Sequence, residues 1–465
     1  MAPLMYSRPI AAAAAFCVLG LACSLNDPLK DRCQTSADCR EGRVCVAGTC
    51  FADGGQPSGA GPSCDDMGSA TAPGVSAPIV CGRWNTGINC ALSTGTTFGP
   101  PWVWQSVFSD ANGWDAPEYY STIAFADLNN DGLADLCGRG KDGINCALSD
   151  GTSFGAVSLW QSSFSDDNGW KAAQYYSTIK FVDINGDGKA DVCGRSSAGI
   201  DCALSNGTSF EAESVWESDF SDTNGWTAPQ YYSTIAFPDL NGDGKADICG
   251  RGVAGIDCAL SNGTTFYGFS RWQASFGDAF GWNLPQYYST IKFADVNGDG
   301  KADVCGRGSG GIGCALSNGT TFDEGSAWQS SFSDVNGWTV PQYYSTIAFA
   351  DIDGDGKADV CGRNGVGINC AQSTGSSFGT ERVWQSSFSD ASGWNAAQYY
   401  STLRLVDVNN DGKADVCGRG ADGIACVLSN GTSFDGGSIW QSSAFSDANG
   451  WNAPQYYATI SFPQE

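Results

Sequence analysis

The chain of 465 residues contains no histidine. That removes the commonest general base, the Ser-His-Asp arrangement and most imidazole-ligated zinc or iron sites. Charge is scarce at 16%, and positive charge scarcer, with 24 Lys and Arg against 50 Asp and Glu. A net charge of −26 repels nucleic-acid phosphate and anionic bilayers, so neither is expected as an electrostatic partner. The apolar run at 10–22 is too short to span a bilayer. What is plentiful, 62 Gly and 12% aromatic residues, suits a turn-rich all-β protein with a large core.

The tract Asp-Leu-Asn-Asn-Asp-Gly-Leu-Ala-Asp at 127–135 returns at 183–191, 239–247, 295–303, 351–359 and 407–415, always 56 residues apart. Each copy reads D-x-[ND]-x-D-G-x-x-D, with oxygen donors at positions 1, 3, 5 and 9 around a Gly that permits the bend a hard cation needs. The candidate ligands are Asp127, Asn129, Asp131 and Asp135; Asp183, Asn185, Asp187 and Asp191; Asp239, Asn241, Asp243 and Asp247. The later loops supply Asp295, Asn297, Asp299 and Asp303; Asp351, Asp353, Asp355 and Asp359; Asp407, Asn409, Asp411 and Asp415. Calcium is the expected occupant, about six ions, one per loop, against the competing reading of solvated acidic turns. A bound cation occupies the lone pairs a general base uses, which argues against catalysis by these residues. Without the ions the loops repel themselves, so stability should depend on calcium.

Around each loop the pattern predicts four short strands: 121–127, 134–139, 144–149 and 152–160 in the first complete unit. Asp150-Gly151, and Asn-Gly at Asn206, Asn262, Asn318 and Asn430, predict tight hairpin turns between the third and fourth. Four-stranded antiparallel units repeated radially make a β-propeller, because no unit buries both sheet faces without neighbours. Seven Cys-Gly-Arg tracts, at Cys81, Cys137, Cys193, Cys249, Cys305, Cys361 and Cys417, give seven blades over 78–465. The first blade lacks its loop and first strand, and a matching strand without a loop stands at 456–462. Pairing of that strand beside 79–83 closes the ring, whereas an open solenoid would need polar caps.

Residues 1–22 read as a signal peptide, and the junction Leu21-Ala22-Cys23-Ser24 resembles a lipoprotein processing site that would acylate Cys23, with ordinary cleavage as the alternative. A lipid on Cys23 would be the one route to a membrane. Cys33, Cys39, Cys45 and Cys50 lie in a small polar segment, 23–51, suited to two disulfides or, less simply in an oxidising compartment, to zinc. Gly, Pro, Ser and Ala dominate 52–77, a flexible linker that holds Cys64. The remaining cysteines form seven pairs nine positions apart, facing each other across a short turn as bridges or as buried thiols.

Two tryptophans recur per unit, one after the fourth strand (Trp104, Trp160, Trp216, Trp272, Trp328, Trp384, Trp440) and one after Gly (Trp114, Trp170, Trp226, Trp282, Trp338, Trp394, Trp451). Aromatic rings beside polar groups are what a sugar requires, so the second series and Tyr120, Tyr176, Tyr232, Tyr288, Tyr344, Tyr400 and Tyr457 are candidate carbohydrate contacts. Packing between blades is the competing role for all of them.

These tracts resemble the FG-GAP or VCBS repeat family, in which such Asp loops bind calcium on propeller blades, as in the integrin alpha-subunit head; the likeness covers about 78–462. A narrower likeness links Phe164-Ser-Asp-x-x-Gly169-Trp170, the Asp183 loop and Gly199-Ile-x-Cys-x-Leu-Ser-Asn-Gly-Thr-x-Phe210 to propeller lectins, among them a mushroom lectin for N-acetylglucosamine and bacterial fucose binders. The chain departs from them in its Tyr-Tyr-Ser-Thr segment and in Cys-Gly-Arg. The resemblance implies a secreted or surface-anchored calcium-binding lectin that binds glycans at repeated sites and is not an enzyme. Alternatives are an integrin-like protein-binding propeller, marked by Phe269, Arg271, Phe280, Arg404, Leu405 and Ala444, or a polysaccharide-degrading enzyme.

Overall fold

Short strands form wherever β-branched and apolar residues run between turn residues, and in every unit they pair in chain order. In the computed structural model, which describes residues 43–46, 49–52, 78–436, 438–441 and 443–463, the second blade is built from Ala124–Ala126, Asp135–Gly140, Gly143–Ala147 and Ser158–Gln161, each antiparallel to the last. Sheets of the same order begin at Lys180–Val182, Lys292–Ala294, Ala348–Ala350 and Arg404–Val406. In the fourth blade the innermost strand shrinks to a single bridge, Ala236 with Cys249, next to Pro238, which has no N–H to donate. The first blade takes its innermost strand from the other end of the chain. The result is an all-β propeller of seven four-stranded blades.

The chain divides into two units, Met1–Pro73 and Gly74–Glu465. In the former, Arg43–Val46 pairs with Thr49–Ala52, placing Cys45 opposite Cys50. The expected signal peptide, Cys23, Cys33, Cys39, Cys64 and nearly all of the linker lie outside the described residues.

Ring closure uses backbone hydrogen bonds. Cys81 and Ser461 exchange N–H···O bonds of 2.9 Å in both directions, and the Arg83 N–H donates to Thr459 Oγ1 at 2.8 Å. Beside them Trp84 stacks on Trp451 with centroids 5.0 Å apart.

Each blade carries one disulfide, from Cys81–Cys90 through Cys417–Cys426, joining cysteines directly opposite on the second and third strands. The turn between those strands requires glycine at Gly143, whose φ is +129° and where a Cβ would sit 2.1 Å from the Gln161 carbonyl oxygen. The core is divided into wedges between blades. One of them gathers Leu128, Ile144 and Trp160 from one blade with Trp170, Val192 and Phe210 associated with the next.

Two local expectations change. The fourth strand spans Ser158–Gln161 rather than 152–160, because Asp150 Oδ1 accepts the N–H groups of Thr152 and Ser153 at 2.8 and 2.7 Å and holds a wider loop. The segment before the first strand is a helical turn, Pro117–Tyr120, started by a proline at its first position.

Candidate functional site

Six Asp loops stand at one end of the innermost strands. In the first, Asp127 Oδ1 accepts the N–H groups of Asn129, Asn130 and Asp131 at 3.1, 2.7 and 3.2 Å, and Oδ2 accepts that of Gly132 at 2.8 Å. Asp135 opens the second strand, is fully buried, and accepts the Leu128 and Ser149 N–H groups at 2.9 and 2.7 Å. Its carboxyl is pushed up to about 6 by burial, with the Asp131 and Asp127 charges adding to the shift against those hydrogen bonds. Asp191, Asp247, Asp303, Asp359 and Asp415 are pushed to about 7 by the same burial.

The position-5 carboxylates have a neighbour that sequence spacing does not single out. Lys189, Lys245, Lys301 and Lys357 place Nζ 2.7, 2.8, 3.0 and 2.5 Å from Asp187, Asp243, Asp299 and Asp355, and Lys413 stands 3.5 Å from Asp411. In the fifth loop Asp351, Asp353 and Asp359 bring carboxylate oxygens within 4.8 Å of one another. A buried carboxyl that meets only N–H donors, next to further carboxylates, suits a divalent cation, so the loop residues fit the ion expected of them. Successive loops are also tied together: the Ala190 N–H donates to the Asp127 carbonyl at 2.7 Å, and Ala246, Ala302, Ala358 and Ala414 repeat the bond with Asp183, Asp239, Asp295 and Asp351.

The opposite end of each innermost strand begins at a helical turn with paired tyrosines. The first tyrosine is structural. Tyr119 OH donates to Asp166 at 2.8 Å, Asp166 also pairs with the buried Arg139, and the guanidinium lies 5.6 Å from the Tyr119 ring centroid. Burial and then the Asp166 hydrogen bond raise the Tyr119 hydroxyl to about 12. Burial alone would raise Asp166, yet the hydrogen bonds from Tyr119 and Arg139 hold it below the usual carboxylate range.

Trp114, Trp170, Trp226, Trp282, Trp338, Trp394 and Trp451 are 2–9% exposed. Each ring lies against a strand glycine: a Cβ on Gly138 would meet Trp114 Cζ3 at 2.7 Å. Phe108 stands 4.2 Å away, centroid to centroid. This packing covers the ring faces, and the Trp104 series is equally buried. The second tyrosines differ. Tyr120, Tyr176, Tyr232, Tyr288, Tyr344, Tyr400 and Tyr457 are all half-buried. After burial, the largest influences on Tyr120 include Tyr457 and Tyr176, those on Tyr176 include Tyr232, and those on Tyr344 are Tyr288 and Tyr400. These phenols therefore neighbour one another from blade to blade on one rim.

At the outer edge, a cleft of about 320 Å³ lies between the second and third blades, lined by Leu159, Trp160, Gln161, Ser162, Phe210 and Glu211. Its volume is at the lower end for ligand pockets, roughly 300–1,000 Å³. The Gln161 amide donates to the Glu211 carbonyl at 2.6 Å, and Gln105, Gln273 and Gln385 bridge their own neighbouring blades in the same way.

FG-GAP-like repeats match residues 127–194, 183–250, 239–305 and 295–361, half of the chain as one continuous span. The chain belongs to the FG-GAP-like repeat family. No curated protein matches it by sequence. Among solved structures, a lectin of Agrocybe aegerita that specifically recognises non-reducing terminal N-acetylglucosamine is similar at 25% identity and TM-score 0.74, over 83% of this chain and 95% of its own. A Photorhabdus luminescens Tc holotoxin pore matches at 18% identity and TM-score 0.44, over 67% of this chain and 14% of that one.

Proposed function

We propose that the protein is an exported, calcium-loaded propeller lectin that binds carbohydrate multivalently and is not an enzyme. The observation that carries this reading is the likeness to the Agrocybe aegerita lectin along nearly the whole of that protein. The repeated architecture supports it. Half-buried tyrosines recur on one rim and glutamine amide bridges recur between blades, so several weak sites can engage a glycan-covered surface at once. Seven disulfides favour an oxidising, extracytoplasmic setting, consistent with export by the 1–22 segment and tethering through Cys23. Calcium at the six Asp loops holds the other rim and leaves the tyrosine rim free for ligand.

A glycan array in calcium, repeated in chelator, tests the proposal, with terminal N-acetylglucosamine as the first ligand to try. Binding above background that falls in chelator is expected; a blank array in calcium overturns the reading. The fourth blade favours protein recognition as a second reading. There the Asp278 N–H donates to the Val253 carbonyl at 2.8 Å, which places the loop of Phe280 beside Val253, and the two side chains are 66% and 61% exposed. Loss of partner binding on Phe280→Ser, with the array unchanged, would select it.

A further inference from the structure

Lys180, Lys292 and Arg404 occupy one repeat position, the first residue of the innermost strand, in the third, fifth and seventh blades. Ala124, Ala236, Ala348 and Ser461 fill it in the others. Every long cationic side chain is thus flanked around the ring by short ones, which leaves the lumen room for all three.

All three are open to solvent but ringed by protein. The surrounding blades hold Lys180, Lys292 and Arg404 below their usual values, and the charges of Lys180 and Arg404 lower Lys292 further. One blade lies between Lys180 and Lys292 and one between Lys292 and Arg404, and the innermost strands of neighbouring blades approach one another around the axis, so all three cations border the axial lumen. Among the described residues none of the three is in an ion pair. Arg404 Nη1 donates to the Ser401 and Leu403 carbonyls at 3.0 and 2.8 Å, anchoring the guanidinium to its own strand. The nearest Asp loops begin three residues further on, about 10 Å along a strand. That exceeds one Debye length, about 8 Å at physiological salt, so a positive site persists in a strongly acidic chain.

We propose that the lumen binds an oxyanion of the sulfate, phosphate or carboxylate class, held by the Lys180 and Lys292 ammonium groups and the Arg404 guanidinium. Converging cations without counter-charges repel one another. An oxyanion removes that repulsion and accepts charge-assisted hydrogen bonds from both donor types.

Calorimetric titration of sodium sulfate into the full chain, at ionic strength fixed with sodium chloride, should give one site per molecule. The triple variant Lys180→Ala, Lys292→Ala, Arg404→Ala places at three blades the alanine that three others already carry, and should weaken sulfate by at least about tenfold. Equal affinity in the variant, or no binding to the parent chain, overturns the proposal. Should the triple variant not fold, Lys292→Ala alone reads the same loss. Free ions and acidic groups on glycans share this chemistry. Displacement of sulfate by a glucuronate-terminated oligosaccharide identifies a glycan source, failure to displace identifies the free ion, and both outcomes keep the site.

Discussion

Seven fully buried arginines, Arg83, Arg139, Arg195, Arg251, Arg307, Arg363 and Arg419, stand on the second strands, where polar side chains are least expected. Arg307 shows why they are tolerated. Its Nε donates to the Phe332 carbonyl at 2.8 Å and Nη1 to the Gln286 carbonyl at 3.3 Å, Nη2 pairs with Asp334, and the Tyr287 ring centroid lies 5.3 Å away. One side chain thereby joins the strand, the connecting loop and the preceding helical turn. Arg307→Ala should cost about 3 kcal/mol, because the carbonyls and Asp334 lose their partner in a part-buried site; a urea-unfolding midpoint checks it. The spacing of the tract is plain in the sequence, but pairing across 27 residues with Asp334 follows only once the loop folds back.

The position-9 aspartates give the protein a pH signature. Raised to about 6 or 7 in the folded chain, they bind protons there more tightly than in the unfolded chain. In metal-free protein, stability is therefore greatest below the ordinary carboxylate range near pH 4 and falls as pH rises toward 7. A bound cation favours the ionised form and should cancel the fall. Thermal unfolding between pH 4 and 7, with chelator and with calcium, should give a declining midpoint in the first series and a flat or rising one in the second. A midpoint in chelator that climbs across that range contradicts the assignment.

At the scale of elements, each disulfide fastens a hairpin whose strands are already paired. Closing so short a loop contributes about 2–3 kcal/mol by chain entropy, so Cys305→Ala with Cys314→Ala should lower stability by that amount and leave the other blades intact. Native-state hydrogen exchange would show the loosening confined to 303–315; uniform loosening would mean that blades do not open singly. Strand order and the placement of paired cysteines were legible because both follow from the two-residue alternation of a strand and the short turn between the cysteines. The helical turn at Pro117–Tyr120 was not legible. Four residues carry no periodicity, and the turn is held by tertiary contacts of Tyr119 with Asp166 and Arg139.

For the whole molecule, closure is the decisive interaction. The C-terminal segment supplies the Ser461 bonds to Cys81, the Thr459 acceptor for Arg83 and, from the helical turn Pro454–Tyr457, the Tyr456 hydroxyl that donates to Asp110 at 2.7 Å. Removing 454–463 strips the first blade of its innermost strand and leaves an open edge that can pair with other chains. The truncated protein should unfold at lower temperature and self-associate, which calorimetry with light scattering would detect. A monomer of unchanged stability would show that the ends do not hold the ring.

The sequence by itself determined the seven-bladed ring, its point of closure, the blade cysteine pairs and the Asp tracts that suit calcium, because each follows from a fixed period and local spacing. Tertiary structure alone decided which aromatics face solvent and which charges meet. The Gly-Trp tryptophans and the second tyrosines are equally periodic, yet the tryptophans fill wedges against Gly138 and its equivalents while the tyrosines reach a rim. Lys180, Lys292 and Arg404 lie more than a hundred residues apart and come to border one axis only because their innermost strands are arranged around it. Periodicity sets where a residue sits in its own unit; burial and charge at that place come from the units packed beside and across from it.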